Sequence, residues 1–197
     1  MGTALSNEAL DTLFREARSH NGWQDTSVTD EQLHQIYDLM KMGPTAANAC
    51  PARLLFIKSA EAKERLKPCL SEGNVEKSMS APVVAVIGMD MEFYEQLPKL
   101  FPHTDARSWY VGKPEEVIHT AAFRNSTLQG AYFMLAARSL GLDCGPMSGF
   151  DAEKLEAEFF PDGKIKANFI CAIGHGDTSK IFARHPRLEF DEACSVL

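Results

Sequence analysis

Four short segments of the chain carry residue types that bind anions or present backbone donors to a ligand. Residues 18–21 read Arg-Ser-His-Asn, residues 43–48 read Gly-Pro-Thr-Ala-Ala-Asn, residues 145–150 hold two glycines and a proline, and residues 184–187 read Arg-His-Pro-Arg. Guanidinium groups match the geometry of phosphate oxygens, and glycine allows a backbone N–H to approach a ligand closely. Together the segments could bind an anionic ligand, although each one alone is typical of a capped helix end, a turn or a solvated charge.

The sequence has no motif for a side-chain nucleophile or a catalytic metal. It contains no P-loop and no H-E-x-x-H, and Ser148 lies one position too late for a G-x-S-x-G elbow. The six histidines are scattered without metal-ligand spacing. The Gly-His-Gly at residues 174–176 is interpreted as a turn, because neither the further glycine nor the helix of a dinucleotide fingerprint follows it. If the protein is an enzyme, we expect its chemistry to come from an organic cofactor.

Composition limits the class of protein. A chain of 197 residues, 45% hydrophobic and 24% charged, is expected to form one globular domain, residues 1–197. The formal net charge of −7 argues against a nucleic-acid surface, and a phosphate ligand would need a local cluster of Arg or Lys. Five cysteines without a C-x-x-C pair favour reduced thiols. The chain also lacks an apolar run of about 18 residues that would predict a membrane span, so we expect a soluble, cytoplasmic protein.

Helices and short strands alternate along the chain and place the four segments at element ends. Ser6 is expected to cap a first helix, and a capping box from Thr29 to Gln32 predicts a second helix that ends at Gly43. Their apolar faces are predicted to be Leu10, Leu13, Phe14 and Ala17 in the first, and Leu33, Ile36, Tyr37 and Met40 in the second. Strands are predicted at residues 54–57, 82–89, 143–146 and 168–173, and further helices at residues 60–69 and 152–159. The sum is a helix-rich α+β fold around a small mixed sheet.

One predicted helix is much longer than the rest. Pro114 suits its first turn, and the pattern continues to about Leu140, where Gly141 ends it. At 1.5 Å per residue this helix would be about 40 Å long. Its apolar residues cover more than one side, which is typical of a bundle centre or a subunit interface.

The order and content of these segments resemble the FMN-dependent nitroreductase family. The shared features are an Arg-Ser segment after the first helix, a Pro-Thr-x-x-Asn motif followed by Pro51, a Pro-x-x-Gly-Phe turn at residues 146–150, and a basic C-terminal segment ending in Arg187-Leu188. The likeness extends over nearly the whole chain. A closer likeness, to the malonic semialdehyde reductases of pyrimidine degradation, lies in residues 21–23, 43–53, 101–103, 105–109, 145–151 and 186–194.

The resemblance implies a nitroreductase-like fold and an intertwined homodimer, with FMN at the subunit interface and the long helix as an interface element. It also implies that NADPH or NADH is the hydride donor. The residues implied to bind the cofactor are Arg18, Ser19, His20, Arg187 and either Arg184 or His185 at the phosphate; Pro44, Thr45 and Asn48 from the partner subunit; Asn74 and Lys77 at the flavin edge; and Pro146, Met147, Ser148 and Gly149 beneath the ring edge.

Two of these groups have an implied chemical role. Lys77, three residues after Asn74 on one face of a helical turn, would offset the negative charge that hydride brings to the flavin. The alternative for Lys77 is a solvated helix charge. A backbone N–H of Ser148 or Gly149 would point at flavin N5, and no protein acid or metal is required. The chain departs from many relatives at Asn21, where they carry a second basic residue, and at Cys50, where they carry glutamine.

The implied reaction is the reduction of malonic semialdehyde to 3-hydroxypropanoate by NAD(P)H in a ping-pong scheme. Arg107 is predicted to pair with the substrate carboxylate, and the alternative is a surface ion pair with Asp105. Two other functions share every cofactor residue, because a fold and its cofactor do not fix the acceptor. They are a general nitroaromatic or quinone reductase and a non-catalytic FMN-binding protein.

Overall fold

The computed structural model describes residues 2–197 and has a four-stranded sheet at its centre. The strands are β1 (Ala52–Ile57), β2 (Val83–Asp90), β3 (Asp143–Met147) and β4 (Ile165–Gly174), in the order β1-β2-β4-β3. The α+β class and all four predicted strands are confirmed. The sheet is antiparallel throughout rather than mixed. Helices between strands often give parallel crossovers, but here they bring each neighbouring strand back in the opposite direction.

Eight helices surround the sheet in the described part of the chain. They are α1 (Asn7–Leu10), α2 (Asp30–Met40), α3 (Ala60–Leu66), α4 (Glu72–Ser80), α5 (Leu97–Leu100), α6 (Glu115–Ser139), α7 (Ala152–Phe159) and α8 (Phe190–Ala193). The predicted bounds of α7 are confirmed, and α3 is shorter than predicted because a 3₁₀ turn follows it. The sequence indicated only one turn of α4, whereas the helix has nine residues.

Strand β2 lies at the centre of the core and is buried on both faces, as its contiguous apolar residues predict. Val83, Ala85 and Ile87 pack towards α2 and α6, whereas Val84 and Val86 pack towards α3 and α7. This alternation follows from the two-residue period of a strand. The sheet is therefore covered by helices on both sides, and its ends and edges are left to carry the polar segments.

The long helix α6 has 25 residues and confirms the prediction made from Pro114. It packs on the sheet through Phe133, Ala136 and Ala137, while Phe123 and Leu128 stay 46% and 41% exposed on another side. Within residues 2–197, no helix is both long and apolar enough to cross a membrane.

The N-terminal region differs from its prediction. Ser6 caps α1 as expected, but the helix has only four residues and continues as a π-helical turn, Asp11–Arg15. Phe14, expected on the buried face, is 54% exposed. The capping box of Thr29 and Gln32 is confirmed in α2, yet Tyr37 is half exposed because its ring turns towards Lys41 instead of the core.

Candidate active site

A cavity of about 330 Å³ lies between the segment before α2, the end of α6 and the C-terminal tail. Four arginines, Arg18, Arg138, Arg184 and Arg187, line it together with His185. Ser19 and Asn21 add polar groups. Two of the four segments singled out in the sequence, 18–21 and 184–187, are thus brought together in space, and α6 adds an arginine that the sequence analysis did not include.

Backbone carbonyls accept hydrogen bonds from all four of these guanidinium groups, including that of Arg187, which donates to the carbonyls of His185 and Pro186. Arg18 donates to the carbonyl of Phe182, Arg138 to that of Leu13 at 3.0 Å, and Arg184 to that of Arg15 at 2.7 Å. Among residues 2–197, no carboxylate lies within ion-pair distance of any of the four arginines in the cavity. Each guanidinium has five N–H donors, so donors remain for a ligand. In a chain of net charge −7, this local excess of positive charge could attract an anion.

Ser19 and His20 attach the cavity to the sheet. Ser19 forms a bridge with Cys144 on β3, and the backbone N–H of His20 donates to the carbonyl of Cys144 at 3.0 Å. The imidazole of His20 does not line the cavity, because it is 4% exposed and faces Asp143. The sequence grouped His20 with the phosphate ligands, and the structure instead turns its ring into the protein.

Lys77 lies between this cavity and Gly145 of β3, just before the turn at residues 146–149. Its ammonium nitrogen lies 3.4 Å from Oδ1 of Asn21, which itself lines the cavity. Burial lowers the pKa of the Lys77 ammonium below its usual value. A side chain at Gly145 would approach the Lys77 stem at 3.4 Å and the His20 carbonyl at 2.6 Å, so glycine permits this packing. Asn21 therefore contacts Lys77 from the side of the cavity and orients its ammonium.

The turn at residues 146–149 is held by α4. Asn74 Nδ2 and the backbone N–H of Ser71 both donate to the carbonyl of Gly149, at 2.8 and 3.1 Å. Met147 is buried, and its sulfur accepts a hydrogen bond from Ser78. Pro146 is half-buried and Ser148 is exposed. The predicted flavin-edge residues Asn74 and Lys77 therefore lie on the same helix, and one of them fixes the turn.

The segment around Thr45 and Asn48 lies apart from the arginine cavity in this chain. Asn48 donates to the carbonyl of Leu100 at 2.9 Å, and the hydroxyl of Thr45 accepts from the N–H of Cys50 at 3.2 Å. The hydroxyl of Tyr132 donates to the carbonyl of Pro44. The backbone is left-handed at three residues that are not glycine, Ala47, Asn48 and Cys50. Such strain persists only where the surroundings hold it in place.

Two polar side chains of α6 supply that support. Asn125 Oδ1 accepts from the N–H of Ala46, and Gln129 Oε1 accepts from the N–H of Ala52, both at 2.8 Å. Asn125 and Gln129 are each 3% exposed. A buried polar group that holds a backbone N–H is costly to remove, so these two residues fix both ends of the strained segment.

Arg107 is exposed and forms a two-pronged ion pair with Glu95, with both N–O distances at 2.8 Å. The hydrogen bonds from Arg107 lower the pKa of the Glu95 carboxyl. The ion-pair partner of Arg107 is therefore Glu95 and not Asp105. The carboxylate of Asp105 instead caps the next turn by accepting from the N–H of Ser108. Phe101 packs against His103 and Trp109 beside this pair.

A comparison with family models agrees with this arrangement. Residues 14–175, most of the chain, match the model of the nitroreductase family. The chain belongs to the nitroreductase family. A protein of Polynucleobacter asymbioticus, provisionally named NADH dehydrogenase/NAD(P)H nitroreductase, is 60% identical to this family member over 197 residues, the full length of both chains.

Two solved structures of nitroreductases share the fold. A provisionally assigned nitroreductase of Bacillus subtilis matches with a TM-score of 0.88 and 24% identity, covering 98% of this chain and 100% of the other. A second one, from Exiguobacterium sibiricum and in complex with FMN, matches with a TM-score of 0.86 and 19% identity over the full length of both chains. At such identities the likeness shows the fold alone, and it confirms the nitroreductase-like architecture.

In this nitroreductase-family chain, Arg138, Asn125 and Gln129 were not among the predicted site residues, since the predicted anion-binding segments all lie at element ends and these three lie within α6. All three lie on α6, on the sides that face the cavity and the strained segment. A signal was present, since polar residues at positions 125 and 129 interrupt an apolar helix at a spacing of four. No group of three or more His, Cys, Asp or Glu side chains in residues 2–197 is arranged to hold a metal ion.

Proposed function

We propose that this protein binds FMN and transfers hydride from NADPH or NADH to a small electrophile. The main support is the cavity in which Arg18, Arg138, Arg184 and Arg187 have no carboxylate partner. Guanidinium groups suit a phosphate because their fixed fork matches its oxygens. A phosphate would remove the repulsion among four arginines that otherwise face one another.

The residues next to the cavity also fit the flavin part of FMN. Lys77 lies half-buried between Asn21 and Gly145, and Asn74 holds the turn at residues 146–149. This turn offers backbone rather than bulky side chains. The family and the names of its relatives add support, since one relative is named NADH dehydrogenase/NAD(P)H nitroreductase and one structural neighbour holds FMN.

When bound, FMN supplies two-electron hydride chemistry. In this chain, the arginines and Ser19 would hold its phosphate, and the Lys77 ammonium would offset the negative charge of the reduced state. The lowered pKa of Lys77 has desolvation as its first cause, and an anion beside the ammonium would oppose that effect. Asn21 and Asn74 would keep Lys77 and the 146–149 turn in position. The final proton can come from water.

The preferred substrate in this proposal is malonic semialdehyde, reduced to 3-hydroxypropanoate in pyrimidine breakdown, with Arg107 as the binding group for the acid. The resemblance of residues 101–103 and 105–109 to malonic semialdehyde reductases supports this substrate. The ion pair of Arg107 with Glu95 favours the second candidate, a general nitroaromatic or quinone reductase, because a neutral acceptor needs no free guanidinium. A third candidate is an FMN-binding protein that does not turn over.

A homodimer is part of the proposal, because Pro44, Thr45 and Asn48 lie away from the arginine cavity of their own chain. In the proposed arrangement these residues reach the flavin of the partner subunit. The exposed side of α6, with Phe123 and Leu128, would form the interface. An apolar groove lined by this side of the helix gives further support.

An anaerobic absorbance titration tests the function directly. The purified protein is recorded alone, after one equivalent of NADPH, and after malonic semialdehyde. A flavin spectrum that bleaches and then recovers supports the aldehyde reductase. Recovery only with a quinone or nitroarene supports the general reductase, and bound FMN that NADPH and NADH leave oxidised supports the binding protein. If no flavin binds after reconstitution, the proposed function is wrong.

A further inference from the structure

His20 lies beside the phosphate ligands in sequence, but its ring is packed inside the protein. The side chain is 4% exposed and lies against the backbone of Gly176. A Cβ atom at position 176 would stand 1.9 Å from Nδ1 of His20, which is far inside contact distance. Any other residue at position 176 would displace the ring, so glycine is required there while His20 keeps this position.

One carboxylate links the histidine to that glycine. Nε2 of His20 lies 3.3 Å from Oδ1 of Asp143, while Oδ2 of the same side chain accepts from the N–H of Gly176 at 2.9 Å. Nδ1 of His20 is the one buried side-chain nitrogen or oxygen without a hydrogen-bond partner in residues 2–197. Leaving a buried polar atom unpaired is unfavourable, and this arrangement is therefore held by the packing around it.

The backbone of His20, next to its buried ring, belongs to the segment that carries the proposed phosphate ligands. The N–H of His20 donates to Cys144 and Ser19 bridges to the same residue, which fixes the backbone one and two positions after Arg18. Arg18 and Ser19 then point outwards into the cavity while His20 points inwards. Loss of the ring would free this backbone without removing any group that lines the cavity.

We propose that His20, held in place by Asp143 and Gly176, is a positioning residue for the phosphate of the cofactor and acts through Arg18 and Ser19. This inference rests on the proposed function, because it takes FMN as the ligand of the cavity. In this arrangement His20 does not touch the phosphate itself but holds the backbone from which Arg18 and Ser19 reach it. A site whose side chains are ordered before binding loses less freedom when the ligand arrives, and re-ordering two side chains would weaken binding by about 10-fold.

The test compares FMN with riboflavin, which lacks the phosphate, on the full chain freed of flavin. Dissociation constants are measured by flavin fluorescence for the wild type, His20→Leu and His20→Gln. We expect His20→Leu to raise the dissociation constant for FMN about 10-fold and to leave that for riboflavin unchanged. His20→Gln keeps a polar nitrogen towards Asp143 and should restore most of the FMN affinity. General damage to the fold would weaken both ligands equally.

Gly176→Ala tests the same packing at the glycine, since the added methyl group must displace the ring of His20. We expect the same selective loss of FMN affinity, and if this variant does not fold, the two His20 variants still decide. An unchanged FMN constant in His20→Leu, or equal losses for FMN and riboflavin, would overturn the inference alone. Failure of the wild type to bind FMN would overturn the proposed function and the inference together.

Discussion

The ammonium of Lys77 donates to the side-chain oxygen of Asn21 at 3.4 Å, and this contact joins the arginine cavity to the turn after β3. Asn21 belongs to the N-terminal segment, whereas Lys77 lies on α4. Because an amide oxygen accepts a hydrogen bond, Asn21 draws the Lys77 ammonium towards the cavity. Arg138 adds positive charge to that cavity from α6.

Lys77→Met is predicted to lower the midpoint potential of bound flavin. The ammonium favours a reduced, negatively charged cofactor, and an interaction of about 1–2 kcal/mol corresponds to roughly 20–45 mV for a two-electron couple. The potential is measured by equilibration with reference dyes under anaerobic conditions. Lys154→Met on α7 is a matched control. Lys154 is exposed, so its removal should leave the midpoint potential of the flavin unchanged. An unchanged potential in Lys77→Met would show that the Lys77 ammonium does not act on the flavin.

The same substitution should change the pH dependence of stability in the flavin-free protein. Burial lowers the pKa of Lys77 from its usual 10.5 in the folded state. The unfolded chain then binds more protons, so this residue costs stability as pH falls from about 10.5 through the folded pKa. Urea unfolding at about pH 8 and about pH 10.5 should show that Lys77→Met gains stability over the wild type mainly at the lower pH. A gain that is equal at both pH values would contradict this linkage.

Arg138→Gln is predicted to raise the dissociation constant for FMN about 10- to 100-fold, because a charged hydrogen bond to phosphate is lost. Riboflavin should bind as it does to the wild type. Arg65→Gln on α3 serves as the control, since Arg65 pairs with Glu158 on the surface and is half exposed. Both constants are measured by flavin fluorescence. Equal weakening for the two flavins would mean that Arg138 supports the fold and not the phosphate.

Arg107→Ala is predicted to raise KM for malonic semialdehyde about 10-fold and to leave KM for a neutral quinone nearly unchanged, if Arg107 binds the carboxylate. Glu95 holds the guanidinium through two hydrogen bonds. Glu95→Gln weakens this competition and should therefore lower KM for the acid aldehyde. Steady-state kinetics with both acceptors gives the two ratios. Equal effects of Arg107→Ala on both acceptors would remove Arg107 from the substrate site and favour the general reductase.

Local sequence signals predicted those parts of the fold that depend on neighbouring residues. The capping box of Thr29 and Gln32 predicted the start of α2. The contiguous apolar residues of β2 predicted a strand buried on both faces. The antiparallel direction of the sheet and the length of α4 were missed. Both depend on how distant segments meet, and α4 has a weak apolar pattern in which only Ser78 is buried.

In the candidate site as well, residues set by local sequence were predicted and arrangements set by distant contacts were not. The predicted anion-binding segments were visible as clusters of Arg, Ser and Gly, and the structure brings Arg18, Arg184 and Arg187 into one cavity. The inward position of His20 was not visible, because it depends on Asp143 and Gly176 far along the chain. A histidine directly after two predicted phosphate ligands is easily predicted as a third ligand until its packing is known.

Phe123→Glu is predicted to turn a homodimer into monomers and to weaken FMN binding at the same time. Phe123 is 46% exposed on α6, beside a groove that also contains His119 and Leu128. A carboxylate buried in an apolar interface would weaken association by about 100-fold or more. FMN would be weakened as well, because Pro44, Thr45 and Asn48 of the partner subunit would no longer reach it.

Light scattering after size exclusion gives the mass, and flavin fluorescence gives the affinity, on the same samples. Lys154→Glu adds negative charge on α7 and should leave both unchanged. If Phe123→Glu stays dimeric and keeps its FMN, the interface lies on another face. If the wild type is monomeric and binds FMN fully, residues 44–48 cannot act on a partner's cofactor, since no partner is present.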